Sequence, residues 1–253
     1  MHVLLLYKQL CITPLEAIQA WRRKHPALRD AKLGYAGRLD PMAEGLLLVL
    51  VGEENKKRKD YENLPKEYAF DVLLGLTTDT YDILGKVTHI ADSVSVSSES
   101  EIKKLFSSFL GIHEQPYPPY SSKPVDGKPL YKHAREGTIA EITIPSKEIT
   151  ITALMINNTK TIQSVKLLQL VHERIASVHG DFRQQEILKQ WDVILEEKKQ
   201  AFPVLSCHIA CSSGTYVRSL AHTIGNRLKT GGIALAIQRT RIGDYTLADV
   251  EKV

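Results

Sequence analysis

The sequence predicts a single domain of mixed helix and strand, on three observations. Apolar, strand-like runs recur at Val3 to Leu6, Leu46 to Val51, 66–74, 149–156 and 202–211. Capped or amphipathic helical segments alternate with them. Neither an internal repeat nor a Pro/Gly/Ser-rich linker divides the chain. With 253 residues, 43% apolar and 25% charged, the chain is long enough to bury a core and too apolar to be disordered. No run approaches the roughly 18 apolar residues of a membrane span, and MHVLLLYKQL is too short and weakly flanked for a signal peptide. A cytoplasmic protein without membrane attachment is the expectation. Cys11, Cys207 and Cys211 form an odd, sparse set without a second ligand pair at finger spacing, so neither a disulfide framework nor zinc is expected.

The elements follow in order. Thr13-Pro14-Leu15-Glu16 combines an N-cap, proline at the first helical position and a returning carboxylate, predicting a helix from Pro14 to Lys24. A Gly-rich polar segment, Gly34 to Pro41, feeds the buried strand Leu46 to Val51. Residues 66–74 and 86–91 read as strands joined into a hairpin by TTDTYDILG. Ser98 and Glu101 predict a second capped helix, ending at Gly111. The five prolines of 115–129 exclude helix and central strand there; a short helix then fits Leu130 to Glu136. Strands 149–156 and 202–211 bracket a helical insertion at about 157–201, whose second part has an Asp181 cap. Its apolar residues at helical spacing, Phe182, Ile187, Leu188, Trp191, Ile194 and Leu195, suit a face packed on the body or on a protein partner. A turn at Ser212 to Gly214 opens a helix reaching Leu228, and Ile233 to Ile242 is the closing strand.

The net charge of +4, from 33 basic and 29 acidic residues, permits a polyanionic partner without demanding one. Basic residues gather at Lys56-Lys57-Arg58-Lys59 and again at Arg218, Arg227, Lys229, Arg239 and Arg241. The segment richest in chemistry is Gly34-Tyr35-Ala36-Gly37-Arg38-Leu39-Asp40-Pro41. Proline pushes the preceding Asp40 out of the helical region, and Gly34 and Gly37 permit positive φ, so a tight loop can present the carboxylate as a nucleophile. Standing alone, the same pattern is an ordinary Asp-Pro surface turn.

It does not stand alone. The segment resembles the catalytic motif of the TruB family of pseudouridine synthases. Leu50-Val51-Gly52-Glu53, Lys66-Glu67-Tyr68, Gly75-Leu76-Thr77-Thr78-Asp79-Thr80 and Cys211-Ser212-Ser213-Gly214-Thr215-Tyr216-Val217-Arg218 follow in the family's order, and the likeness runs on to Arg239-Thr240-Arg241. The resemblance implies an α+β pseudouridine synthase catalytic fold, a mixed and largely antiparallel central sheet flanked by helices. It implies isomerisation of the T-loop uridine of tRNA to pseudouridine, without metal or small-molecule cofactor. Another RNA target and a non-catalytic tRNA chaperone are the alternatives.

By the same resemblance Asp40 is the catalytic aspartate and Arg218 the arginine that pairs with and orients it; a phosphate contact is the competing role for Arg218. Tyr68 is the tyrosine that faces the target base, against the alternative of half-buried packing, and Tyr216 a pocket wall. Tyr35, Arg38, Tyr216, Lys56, Lys57, Arg239 and Arg241 are the residues expected to meet the T arm. The sequence departs from the family in three places. Tyr35 stands where bacterial relatives usually carry histidine, Lys8-Gln9-Leu10-Cys11 replaces Lys-Pro-x-Gly, and Gln238 replaces the first arginine of the closing pattern. A single catalytic domain over 1–253, lacking the C-terminal PUA-type RNA-binding domain and acting as a monomer, is the expectation.

Overall fold

The computed structural model describes residues 3–94 and 98–250. In chain order its elements are β1 (Val3–Lys8), α1 (Pro14–Lys24), β2 (Leu33–Ala36), β3 (Ala43–Val51), α2 (Arg58–Asn63), β4 (Lys66–Leu74), β5 (Leu76–Thr78), β6 (Val87–Ile90), α3 (Glu99–Ser107), β7 (Gly111–Pro116), β8 (Pro124–Val125), β9 (Lys128–Pro129), α4 (Leu130–Glu136), β10 (Ser146–Gln163), α5 (Ser164–Ala176), α6 (Gln184–Glu197), β11 (Ala201–Cys211), α7 (Val217–Arg227), β12 (Gly232–Ile242) and β13 (Tyr245–Thr246). Among the described residues one nine-stranded sheet forms the frame. Its order is β1-β3-β12-β4-β11-β10-β7, with β2 on β3 and β13 on β12. Among the described strands of that sheet only β12 and β3 pair in parallel, so the architecture is the expected mixed, largely antiparallel α+β fold.

Alternation along β4 decides which helices lie where. Tyr68, Phe70, Val72 and Leu74 face one side and pack with Ile102 and Phe106 of α3 and with Val217, Leu220, Ala221 and Ile224 of α7. On the other side Leu73, with Val204 and Leu235, meets Leu167, Val171 and Ile175 of α5 and Ile187, Trp191 and Leu195 of α6. The insertion's apolar face therefore packs on the body. Trp191 is fully buried, and its indole N–H donates to Gly85 O at 3.0 Å, so this large ring leaves no polar atom unpaired.

The α1 capping box forms as the sequence predicts, with Glu16 N–H donating to Thr13 Oγ1 at 3.2 Å and Thr13 N–H donating to Glu16 Oε2 at 2.6 Å. Four expectations need correction. Strands 66–74 and 86–91 do not form a hairpin: the chain breaks at Gly75 (φ 105°), β4 pairs with β11 and β12, and β6 pairs with the short β5. No side chain fits at Gly75, where a Cβ would lie 2.5 Å from Val94 Cγ2. The helix opened by Ser98 ends at Ser107, not Gly111, because Ser108 and Phe109 turn tighter and donate to carbonyls three residues back. Residues 157–163 are not helical; they extend β10 along β11 in register from Asn158↔Ser206 to Gln163↔Ala201, and the helical insertion is α5 and α6 alone. Asp181 does not occupy the α6 cap. Arg183 holds that position with φ 64° and no side-chain cap, while Asp181 Oδ1 accepts from Arg183 N–H at 3.3 Å.

Candidate active site

Asp40 sits in the loop between β2 and β3, and three anchors fix that loop. Gly37 turns it with φ 77°, a left-handed conformation that favours glycine. Gly34, by contrast, lies in extended β2; it is small because a Cβ there would strike Asn55 Oδ1 at 2.1 Å. From β1, the fully buried Lys8 donates to Asp40 O at 2.9 Å, to Pro41 O at 3.2 Å and to Ala43 O. Burial pulls its amine down to about 8. Cys11, with φ 67° where the family pattern has glycine, donates its N–H to Pro41 O at 2.9 Å, so the departing N-terminal block still builds its turn.

Arg239 is the third anchor, and here an expected RNA contact is corrected. Only 1% exposed, it donates from Nε to Leu46 O at 2.8 Å and from Nη2 to Gly37 O at 3.1 Å, and it bonds the Tyr68 hydroxyl. A side chain so enclosed cannot reach a phosphate. Arg241, two residues on, is exposed and pairs with Glu67 at 3.3 Å, because a bulge between the two arginines reverses the inward phase of β12.

Arg218, in the first turn of α7, is 3% exposed and engages every donor nitrogen. Its Nε donates to Asp40 Oδ2 at 2.8 Å, Nη1 to Thr80 O at 2.7 Å and Nη2 to Tyr120 O at 2.8 Å. Burial pulls the guanidinium's pKa down, but Asp40 and then Asp82 more than offset it and hold the value above the ordinary one. Buried, and with all three of its nitrogens engaged inside the protein, Arg218 holds Asp40 and is too enclosed for the phosphate contact that was its competing role. Asp82 is a second buried carboxylate that interacts electrostatically with Arg218, accepting from Thr80 Oγ1 at 2.7 Å and Leu84 N–H at 3.0 Å. Burial pushes its carboxyl up to about 6.

Tyr68 is 8% exposed and packs in the core cluster that contains Leu39. Burial raises its hydroxyl, which keeps the phenol neutral beside Asp40 and Arg239. Tyr216 lies edge-on to Tyr117 at 5.7 Å with the Arg218 guanidinium 5.7 Å from its ring, and Gln115 pins its backbone from both sides at 2.8 and 3.1 Å. Arg38 is exposed at the outer side of the loop, donating to Ser122 Oγ at 2.8 Å and to the Tyr35 hydroxyl at 3.4 Å. Tyr35 is half-buried on β2, with the Arg58 guanidinium 5.6 Å from its ring. Lys56 and Lys57 are exposed but pair with Glu53 and Glu54. Sequence reasoning missed Asp82, Thr80 and Tyr120 as partners of Arg218. Among the described residues no three His, Cys, Asp or Glu side chains converge as metal ligands, and no helix is long and apolar enough to cross a membrane.

The enclosed Arg218 thus holds the Asp40 carboxylate on a loop turned at Gly37. Residues 24–173 match the model of TruB family pseudouridylate synthase (N terminal domain), and the chain belongs to that family. It is 33% identical to tRNA pseudouridine synthase B of Carboxydothermus hydrogenoformans over 88% of this chain and 64% of that protein. It is 30% identical to that of Thermotoga maritima, over 98% of this chain and 64% of that protein. The Opitutus terrae protein of the same name is 32% identical over 98% of this chain and 83% of its own length. The chain thus spans under two thirds of the first two relatives. In fold it is similar to a chain from the crystal structure of a Cbf5-Nop10-Gar1 complex, with TM-score 0.56 and 19% identity, covering 97% of this chain and 50% of that one.

Proposed function

We propose that this protein isomerises uridine to pseudouridine in the T loop of tRNA, with Asp40 as nucleophile. The observation that carries the reading is the 2.8 Å bond from Arg218 Nε to Asp40 Oδ2, made by an arginine whose two other nitrogens each donate to a backbone carbonyl. Such a carboxylate is oriented before substrate arrives, which lowers the reorganisation needed at the reacting atoms. The reaction balances within the nucleotide. Asp40 supplies an electron pair to the nucleotide, the N1–C1′ bond breaks, the uracil turns, C5–C1′ forms, the bond to Asp40 breaks and returns the carboxylate its electron pair, the C5 proton leaves to solvent and N1 takes up a proton.

Tyr68, neutral and placed beside Asp40, supplies a ring against which the turning base can stack, worth about 1 to 3 kcal/mol, similar to the cost of unstacking one base. The exposed Arg38, on the outer side of the Asp40 loop, and the half-buried Tyr35 whose hydroxyl accepts from it are assigned to the RNA backbone and loop. The relatives named above are tRNA pseudouridine synthases, which supports tRNA as the substrate class. The test is to incubate the purified protein with an unmodified tRNA transcript and map pseudouridine at nucleotide resolution. One new pseudouridine in the T loop is expected; a modification confined to other positions or to other RNAs would overturn the assignment of target.

A further inference from the structure

Arg218 reaches Asp40 from a frame made of two carbonyls, Thr80 O and Tyr120 O, which belong to segments far apart in sequence. Something must hold those segments at the right separation. The helical insertion does so through Arg183. Its Nη1 and Nη2 donate to Asp79 Oδ2 at 2.7 Å and Oδ1 at 3.3 Å, and its guanidinium lies 4.4 Å from the centroid of the Tyr120 ring. The Tyr120 hydroxyl closes the triangle by donating to Asp79 Oδ2 at 3.1 Å, and Asp79 Oδ1 also accepts Lys86 N–H at 2.9 Å. Asp79 precedes Thr80 directly, so one arginine locks Tyr120 and the immediate neighbour of Thr80, and the carbonyls of Tyr120 and Thr80 hold the other. The pair is mostly shielded, at 15% and 23% side-chain exposure, and two-pronged, the geometry in which an ion pair fixes direction as well as distance.

We infer that Arg183 is a positioning residue for the Asp40–Arg218 pair, so that the α5–α6 insertion sets the geometry of the active site. Resting on the function proposed above, this assigns the insertion a role in the rate of the chemical step and none in gripping RNA. Its charge is consistent with that, since 160–200 carries seven basic and six acidic residues, too balanced to neutralise a phosphate backbone.

The test compares wild type, Arg183→Ala, Arg183→Lys and, as a control that breaks another ion pair between the insertion and the body, Lys198→Ala, whose amine lies 2.6 Å from the exposed Asp92. Single-turnover pseudouridine formation is expected to fall by about tenfold to a hundredfold in Arg183→Ala, with RNA Kd held within about threefold. Arg183→Lys keeps the charge but not the two-pronged bond, and is expected to fall between. Lys198→Ala is expected to match wild type. A second readout is independent of turnover: in protein labelled with 15N-arginine, exchange of the Arg218 Nε–H with solvent is expected to be faster by about tenfold in Arg183→Ala, because a looser frame opens more often. Wild-type rates in both Arg183 variants, or Nε–H exchange unchanged in both, would overturn the inference. If wild type forms no pseudouridine, the functional reading fails instead, and the exchange measurement still decides whether Arg183 holds Arg218.

Discussion

Arg218 and Asp82 make opposite contributions at the residue scale. Arg218 points three donor groups in three directions, which an ammonium on a flexible stem cannot copy. Arg218→Lys is therefore expected to lose a hundredfold or more in kcat, about 3 kcal/mol, with little change in RNA Kd. Stopped assays beside filter binding check this, and a loss confined to KM would argue for a phosphate contact. Asp82 is costly to the fold. Its carboxyl sits at about 6 in the folded protein against 3.8 when free, so the folded state binds more protons between those values. Its charge thus lowers stability at neutral pH, and that cost is relieved as pH falls through about 6. The neutral Asp82→Asn is expected to melt above wild type at pH 7.5, the difference closing by about pH 4. A variant less stable than wild type at pH 7.5 would contradict the sign.

Elements explain why some residues were legible in the sequence and others were not. Thr13 and Glu16, or Asp40 and Arg218, lie in short contiguous patterns whose chemistry is local, and the structure bears out the α1 cap they predict. Arg239 was misread because charge suggests a surface, whereas strand phase places it inward beside Ile237; the bulge that turns Arg241 outward leaves no mark in the sequence. The link from Arg183 to Asp79 spans 104 residues and has no local signal at all. If Arg239 is an anchor, Arg239→Met should lower Tm by several degrees, of the order expected when buried carbonyls lose their donors, without altering the salt dependence of RNA binding. Thermal melts and binding at several salt concentrations check both halves. A flatter salt slope at unchanged Tm would restore the phosphate contact.

For the whole molecule, the sheet divides labour between its faces. One side carries α3 and α7 and delivers Arg218; the other is covered by α5 and α6. The fold class was legible because strand and helix periodicities are strong, but pairing was not: β4 and β6 were expected to be neighbours, and the break at Gly75 separates them. The charge pattern reads similarly, since Lys56 and Lys57 are already matched by Glu53 and Glu54. Replacing both lysines by alanine is expected to reduce the slope of log K against log salt by less than about one. A reduction near two would make them phosphate contacts.

If Asp40 is the nucleophile of a uridine isomerase, tritium release from 5-tritiated uridine in tRNA depends on its carboxylate. Asp40→Asn keeps the shape of the side chain and its place beside Arg218 but cannot supply the electron pair. The variant is expected to release no tritium above background while its RNA Kd stays within about threefold of wild type. Measurable turnover by Asp40→Asn, purified free of any other synthase, would mean that Asp40 is not the nucleophile.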